Sequence, residues 1–239
     1  MKILISNDDG WDAPGISTLA DVASEFGDCT IVAPETEQSG VSHQVTLNRP
    51  LNLQQRSAKA WSIDGTPADC VRIALTQLET QLKTKFDLVL SGVNNGGNLG
   101  ADVYVSGTVA AAREATLFGR PAIAISQHRL YFGEPFDWSN AATLTARSLR
   151  HCLAKTLTPR TLININLPDF SDHDQLPEAE IVDPCPLDPS PRPANYSTQL
   201  VGDSTRLQFV GKYNDRQQLD GCDIQACFSK RVTITRLSG

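Results

Sequence analysis

The stretch from Met1 to Pro34 limits the possible folds more than any other part of the chain. Lys2-Ile3-Leu4-Ile5-Ser6 is short, apolar and rich in β-branched residues, the texture of a parallel strand buried on both faces. Pro14-Gly15-Ile16 reads as a helix start. Ile16, Leu19, Ala20, Val22, Ala23 and Phe26 then recur at helical spacing until Gly27 ends the pattern. Cys29-Thr30-Ile31-Val32-Ala33 is a second buried strand, closed by Pro34. Strand, helix and strand in so short a span make a βαβ unit, and with it a parallel sheet covered by helices. Between the first strand and the helix lies Asn7-Asp8-Asp9-Gly10, a turn with two adjacent carboxylates. Such residues form turns in water for no further reason. Two like charges at the mouth of a buried strand repel, however, and a hard divalent cation with oxygen ligands is the usual compensation.

The same grammar continues. Glu35 to Gln44 is a polar loop at the carboxyl end of the second strand, and Val45 to Ile63 reads as short alternating strands, in part a hairpin. Thr66 is placed as an N-cap with Pro67 at the first helical position. Phe86-Asp87-Leu88-Val89-Leu90 is a buried strand running into the Gly- and Asn-dense segment Ser91 to Gly100, whose backbone is able to approach a ligand closely. Ser106-Gly107-Thr108 opens an alanine-rich helix, a natural anion site as well as an ordinary cap. Pro121 to Ser126 is a strand, Trp138 to Lys155 an amphipathic helix, and Thr161 to Leu167 the last clear strand of the α/β part. After Pro168 the texture turns to Asp, Pro and Ser, with strands expected at Arg206 to Val210 and Val232 to Thr235. Residues 1–168 are therefore expected to form an α/β core, and 169–239 a mostly β, hairpin-bearing extension of the same domain.

The charge balance excludes some partners. A net charge of −6 and a pI near 5.2 do not suit a protein that coats a nucleic-acid duplex. No apolar run approaches membrane-spanning length, and no secretory leader pattern opens the chain. Cys29, Cys70, Cys152, Cys185, Cys222 and Cys227 fit neither paired zinc motifs nor a disulfide scaffold, so reduced thiols in a cytoplasmic protein are expected. A Cys222–Cys227 disulfide is the one pairing that the spacing leaves open.

In a doubly wound sheet, ligands sit beyond the carboxyl ends of the strands, at the switch point. Three loops leave such ends, carrying Asp8-Asp9, Ser39-Gly40 and Asn94-Asn95, and the Ser106 helix start follows the third. Two carboxylates, a hydroxyl and an amide carbonyl form an all-oxygen set suited to magnesium, manganese or calcium. His43, His128, His151 and His173 are scattered; His43, near the Ser39 loop, is a candidate for acid–base work. Neither a P-loop nor a GxGxxG fingerprint is present. A hard cation beside an anion site points to phosphate chemistry.

Several segments carry a resemblance. Asn7-Asp8-Asp9-Gly10 with Ala13-Pro14-Gly15-Ile16, Ser39-Gly40-Val41-Ser42, Gly65-Thr66-Pro67-Ala68-Asp69-Cys70-Val71, Ser91-Gly92-Val93-Asn94, Asn98-Leu99-Gly100, Ser106-Gly107-Thr108-Val109-Ala110-Ala111 and Leu162-Ile163-Asn164-Ile165-Asn166-Leu167-Pro168 stand in collinear order. In this the chain resembles the SurE family, the stationary-phase survival proteins. The resemblance implies a Rossmann-like, three-layer core and a metal-dependent phosphatase of nucleoside monophosphates, acting on 5′- and also 3′-esters. It implies one divalent ion per subunit, Mg²⁺ or Mn²⁺, held by Asp8, Asp9, Ser39 and Asn94, with Asp8 and Asp9 at the chemistry. Phosphate is implied near Asn98, Ser106, Gly107 and Thr108, and assembly as a homodimer or homotetramer. The chain departs from the family pattern at Asp12, at Asn95 and in its closing segment, Ser229 to Leu237. The reading set against this is a non-catalytic, magnesium-binding receiver-like regulatory domain. Such a domain needs an acceptor Asp where the strand Phe86 to Leu90 instead runs into Ser91-Gly92.

Overall fold

The structure is a computed structural model, and it describes residues 1–130, 136–170 and 179–237. His173 lies outside these residues. The first strand, β1 (Lys2–Ser6), leads through α1 (Pro14–Ala23) to β2 (Asp28–Pro34). A hairpin follows, β3 (Leu53–Ser57) and β4 (Ala60–Ile63), then α2 (Pro67–Ile73), which continues through a π turn at Ala74–Leu78 into α3 (Glu79–Leu82). The middle of the chain is β5 (Leu88–Asn95), a 3₁₀ turn at Gly100–Tyr104, α4 (Gly107–Leu117), β6 (Ala122–Gln127), α5 (Ser139–Leu153) and β7 (Leu162–Leu167). The remainder comprises β8 (Ile181–Val182), the hairpin β9 (Tyr196–Val201) and β10 (Ser204–Phe209), α6 (Asp223–Phe228) and β11 (Val232–Leu237).

The main sheet has the order β3-β4-β2-β1-β5-β6-β7-β11-β8, and from β4 to β7 every pairing is parallel. The expected α/β sheet is thus present. Its alternation explains why the strands read as unbroken apolar runs: Ile3 and Ile5 face the layer that holds Ile16, Leu19, Leu144 and Leu149, whereas Leu4 faces the layer that holds Val71, Leu78, Val109 and Ala112. Helices α1 and α5 cover one face, α2 and α4 the other. At α2 the sequence signals are met in detail, because the Thr66 hydroxyl accepts from Asp69 N–H and the Asp69 carboxylate from Thr66 N–H.

Two features depart from the sequence reading. Strand β5 does not stop at Leu90 but continues to Asn95, with a register shift between Ser91 and Asn94. Gly92 makes this possible: its φ is +134°, and a Cβ there would stand 2.2 Å from Ile125 O. The chain end is also woven into the main sheet, with β11 antiparallel to β7 in the register Ile234↔Ile165 and β8 parallel to β11. The β9–β10 hairpin forms a separate two-stranded sheet.

Candidate active site

The chain moves from β1 to β2 on one side and later inserts β5 on the other, so β1 and β5 flank the switch point of the sheet. Both strands end there in turns that carry expected site residues. The β1 turn is closed by Asn7, whose side-chain amide donates to Gly10 O (2.8 Å) and whose Oδ1 accepts from Gly10 N–H (3.3 Å). The loop after β2 is tied to the same turn, since Gln38 N–H donates to Asp8 O (2.7 Å). It is also tied to the segment before α4, since Ser42 Oγ donates to Tyr104 O (2.9 Å). Gly15 lets α1 sit on β5, because a Cβ there would lie 2.0 Å from Val93 O.

A cavity of about 760 Å³ opens at this edge. It gathers Asp8, Asp9, Ser39, Asn94, Asn98 and Ser106 from the expected site residues. Gly107 and Thr108 do not line it; they stand behind Asp8. The Thr108 hydroxyl donates to Asp8 Oδ1 (2.5 Å), and its backbone N–H also reaches that carboxyl. A Cβ on Gly107 would meet Asp8 Cβ and Oδ2 at 2.8 Å. The first turn of α4 therefore seats Asp8. Ser106 caps the helix by accepting from Val109 N–H (3.1 Å), which leaves its hydroxyl proton free to donate into the cavity.

The carboxylates of Asp8 and Asp9 form the acidic pole of the cavity. Asp8 is 5 % exposed. Burial, with the charge of Asp9 beside it, pushes its carboxyl up to about 7, and the Thr108 hydrogen bonds only partly oppose this. Asp9 is also raised, mainly by burial, although Asn95 N–H donates to its Oδ2 (3.1 Å). The Asn94 amide nitrogen donates to Gly96 O (2.7 Å), so its carbonyl oxygen is the atom left for a ligand. The Ser39 hydroxyl donates to Glu37 Oε1 (2.5 Å), and its oxygen retains lone pairs. These donors fit a hard cation chemically: two strained carboxylates and two neutral oxygens on one wall. Among the described residues no group of three His, Cys, Asp or Glu is placed to hold a metal ion, so a cation here would need the neutral oxygens of Ser39 and Asn94 beside the two carboxylates.

Asn98 is held from both sides. Its backbone N–H donates to Asn166 Oδ1 (2.7 Å), its side chain donates to Ser126 Oγ (2.8 Å), and its carbonyl accepts from Asn164 and Asn166. These polar residues stand on β6 and β7, on the face that is apolar further down the strands.

The cavity also includes residues that the sequence reading did not single out: Glu37, Asp102, Arg129, Arg192, Trp138 and Tyr213. Glu37 and Asp102 sit close in sequence to expected site residues, and that proximity was the available signal. Arg192 and Tyr213 come from beyond residue 169 and carried none. His43 points elsewhere: its Nε2 lies 2.8 Å from Glu114 Oε2, and Glu114 is in turn paired with Arg72 (2.7 Å). His128 packs against Tyr213 and Phe228, and His151 pairs with Asp183. All six cysteines are free, Cys222 and Cys227 included.

Known proteins resemble this chain over most of its length. The model of the family described as survival protein SurE matches residues 3–184. A relative from Nostoc sp., named a putative 5′-nucleotidase, is 45 % identical over 237 residues, covering 99 % of both chains. A protein of Citrifermentans bemidjiense named 5′-nucleotidase SurE is 42 % identical, over 99 % of this chain and 92 % of its own. The crystal structure of the SurE protein from Aquifex aeolicus superposes with a TM-score of 0.85 at 28 % identity, over 100 % of this chain and 93 % of that one. The family model spans most of the chain and relatives above 40 % identity cover nearly all of it, so the chain belongs to the SurE family.

Proposed function

We propose that the protein is a metal-dependent phosphomonoesterase that hydrolyses nucleoside 5′-monophosphates, and also 3′-monophosphates, to nucleoside and phosphate by attack of water. One observation carries this reading: Asp8, Asp9, Ser39 and Asn94, far apart in sequence, line one cavity at the switch point with the Ser106 helix start beside them. The full-length relatives named 5′-nucleotidases support the choice of substrate.

Asp8, Asp9, Ser39 and Asn94 would hold one Mg²⁺ or Mn²⁺ per subunit. When bound, such an ion supplies positive charge for the phosphoryl oxygens and lowers the pKa of a water. Asp8 is kept in place by Thr108 and Gly107. With Asp9, it stands where a carboxylate accepts a proton from the attacking water. The Ser106 hydroxyl and the Asn98 side chain hold phosphoryl oxygens, helped by the helix dipole. Thr108 acts through Asp8. The receiver-like alternative has no acceptor Asp in β5, where Ser91 is fully buried and Asn94 lines the cavity.

No helix among the described residues is long and apolar enough to cross a membrane. The free cysteines suit the cytoplasm. The exposed hairpin β9–β10 suits assembly into a homodimer or homotetramer, since a lone two-stranded sheet is marginal in water.

The test is phosphate release from AMP, GMP and 3′-AMP in Mn²⁺ or Mg²⁺ and in chelator. Metal-dependent release that is lost in Asp8→Asn is expected. Failure of every monophosphate to turn over with metal would overturn the reading.

A further inference from the structure

The cavity has an acidic wall and, opposite in sequence origin, a cation brought by the C-terminal extension. Arg192 lines the cavity together with Asp8 and Ser106. Its Nε lies 3.0 Å from Asp102 Oδ1, and its side chain is 52 % exposed. Asp102 does not need this partner. The buried Arg216 already donates to Asp102 Oδ2 at 2.5 Å, and the Tyr213 hydroxyl donates to the same oxygen at 3.0 Å. Arg192 is thus a second cation on a carboxylate already paired with Arg216, oriented through Nε, half exposed and lining the cavity.

Asp102 also fixes where that guanidinium stands. Its main-chain oxygen accepts from Ser106 N–H (3.0 Å), the residue that caps α4. One residue therefore anchors both the helix start and the arginine. The segment that carries Arg192 is latched to the same loop: Asp223 accepts from Gly100 N–H (2.8 Å) and from Asp188 N–H (2.8 Å). Asp188 in turn accepts from Leu219 N–H (2.7 Å).

We infer that Arg192 is a substrate-binding residue that engages the phosphate dianion held at the start of α4, using its terminal nitrogens while Nε stays on Asp102. A planar guanidinium pairs with phosphate through two parallel hydrogen bonds, which suits it to this task better than lysine. The chemical class bound is a terminal phosphate monoester. This inference rests on the phosphatase reading, and its test separates the two.

Binding of inorganic phosphate in the presence of Mn²⁺ is measured by calorimetry, without turnover, for the wild type, Arg192→Ala and Arg192→Lys. Arg192→Ala is expected to weaken phosphate about tenfold, Arg192→Lys by less, and adenosine binding is expected to be the same in all three. The KM for AMP should rise in parallel with the phosphate constant. Equal phosphate affinity in wild type and Arg192→Ala would overturn the inference even if AMP is hydrolysed. Loss of adenosine binding together with phosphate would also overturn it, because it would show a structural role. Phosphate binding that depends on Arg192 in a protein with no monophosphatase activity would leave the inference standing and remove the phosphatase reading. Thermal unfolding of the variants checks that the latch survives, since Asp102 keeps Arg216 and Tyr213.

Discussion

The metal-free protein should become more stable when Asp8 is replaced by Asn. Asp8 sits against Thr108 and Asp9 with almost no access to water, and its carboxyl is pushed from 3.8 to about 7. The sign follows from proton binding: between these two values the folded chain holds a proton that the unfolded chain has released. Stability therefore falls as pH rises through that interval and levels off above 7. The full shift corresponds to about 4 kcal/mol lost at pH 8 relative to acid. Asn has nearly the same shape, carries no charge and keeps an acceptor for the Thr108 hydroxyl. After allowing for imperfect replacement of the hydrogen bonds, Asp8→Asn should gain about 1–3 kcal/mol at pH 8 in chelator, or several degrees in Tm. The gain should be smaller at pH 5. Urea or thermal unfolding at both pH values, with and without Mn²⁺, reads all of this, and Mn²⁺ should stabilise only the wild type strongly. A variant less stable than wild type at pH 8, by a margin that does not change with pH, would refute the idea that this acidic turn is strained without a cation.

The remaining expectations concern neighbouring parts of the molecule. Because the metal-free Asp8 carboxyl is largely protonated below about 7, Mn²⁺ binding should release a proton there, and affinity should rise with pH until it levels off. Calorimetry in buffers of different ionisation enthalpy would expose a pH-independent affinity if the reasoning is wrong. Gly107→Ala places a methyl group 2.8 Å from Asp8 Oδ2, so it should reduce metal-dependent stabilisation and phosphatase activity at least tenfold while the fold persists. Normal activity in that variant would show that α4 does not seat Asp8. Leu200 and Leu207 are 79 % and 61 % exposed on the hairpin, so Leu200→Glu with Leu207→Glu should lower the mass seen by light scattering without changing monomer stability. An unchanged mass would place the assembly surface elsewhere.

What the sequence disclosed and what it hid divide along the range of the interactions. The core strands were readable because burial on both faces demands continuous apolar residues, as at Ile3-Leu4-Ile5 and Ile123-Ala124-Ile125. The Asp8-Asp9 turn, the Ser106 cap and the Thr66-Pro67 helix entry were readable because their chemistry is complete within a few residues. Strand β5 was drawn too short because Gly92 and two asparagines normally end strands. Here the glycine permits a bulge against Ile125 instead, which re-aims Asn94 at the cavity.

The contribution of the C-terminal extension was hidden for a different reason. Asp102 meets Tyr213 and Arg216 across more than a hundred residues, and no periodicity encodes such a contact. The consequence is mechanical as well as chemical. The Asp102 main chain holds the Ser106 N–H while its side chain holds the extension, so the α4 start and the extension share a single anchor. A part of the chain that looked like an appendage for assembly thereby forms one wall of the cavity. Changes that shift this segment should reach the Ser106 helix start through Asp102, without altering any residue of the acidic turn.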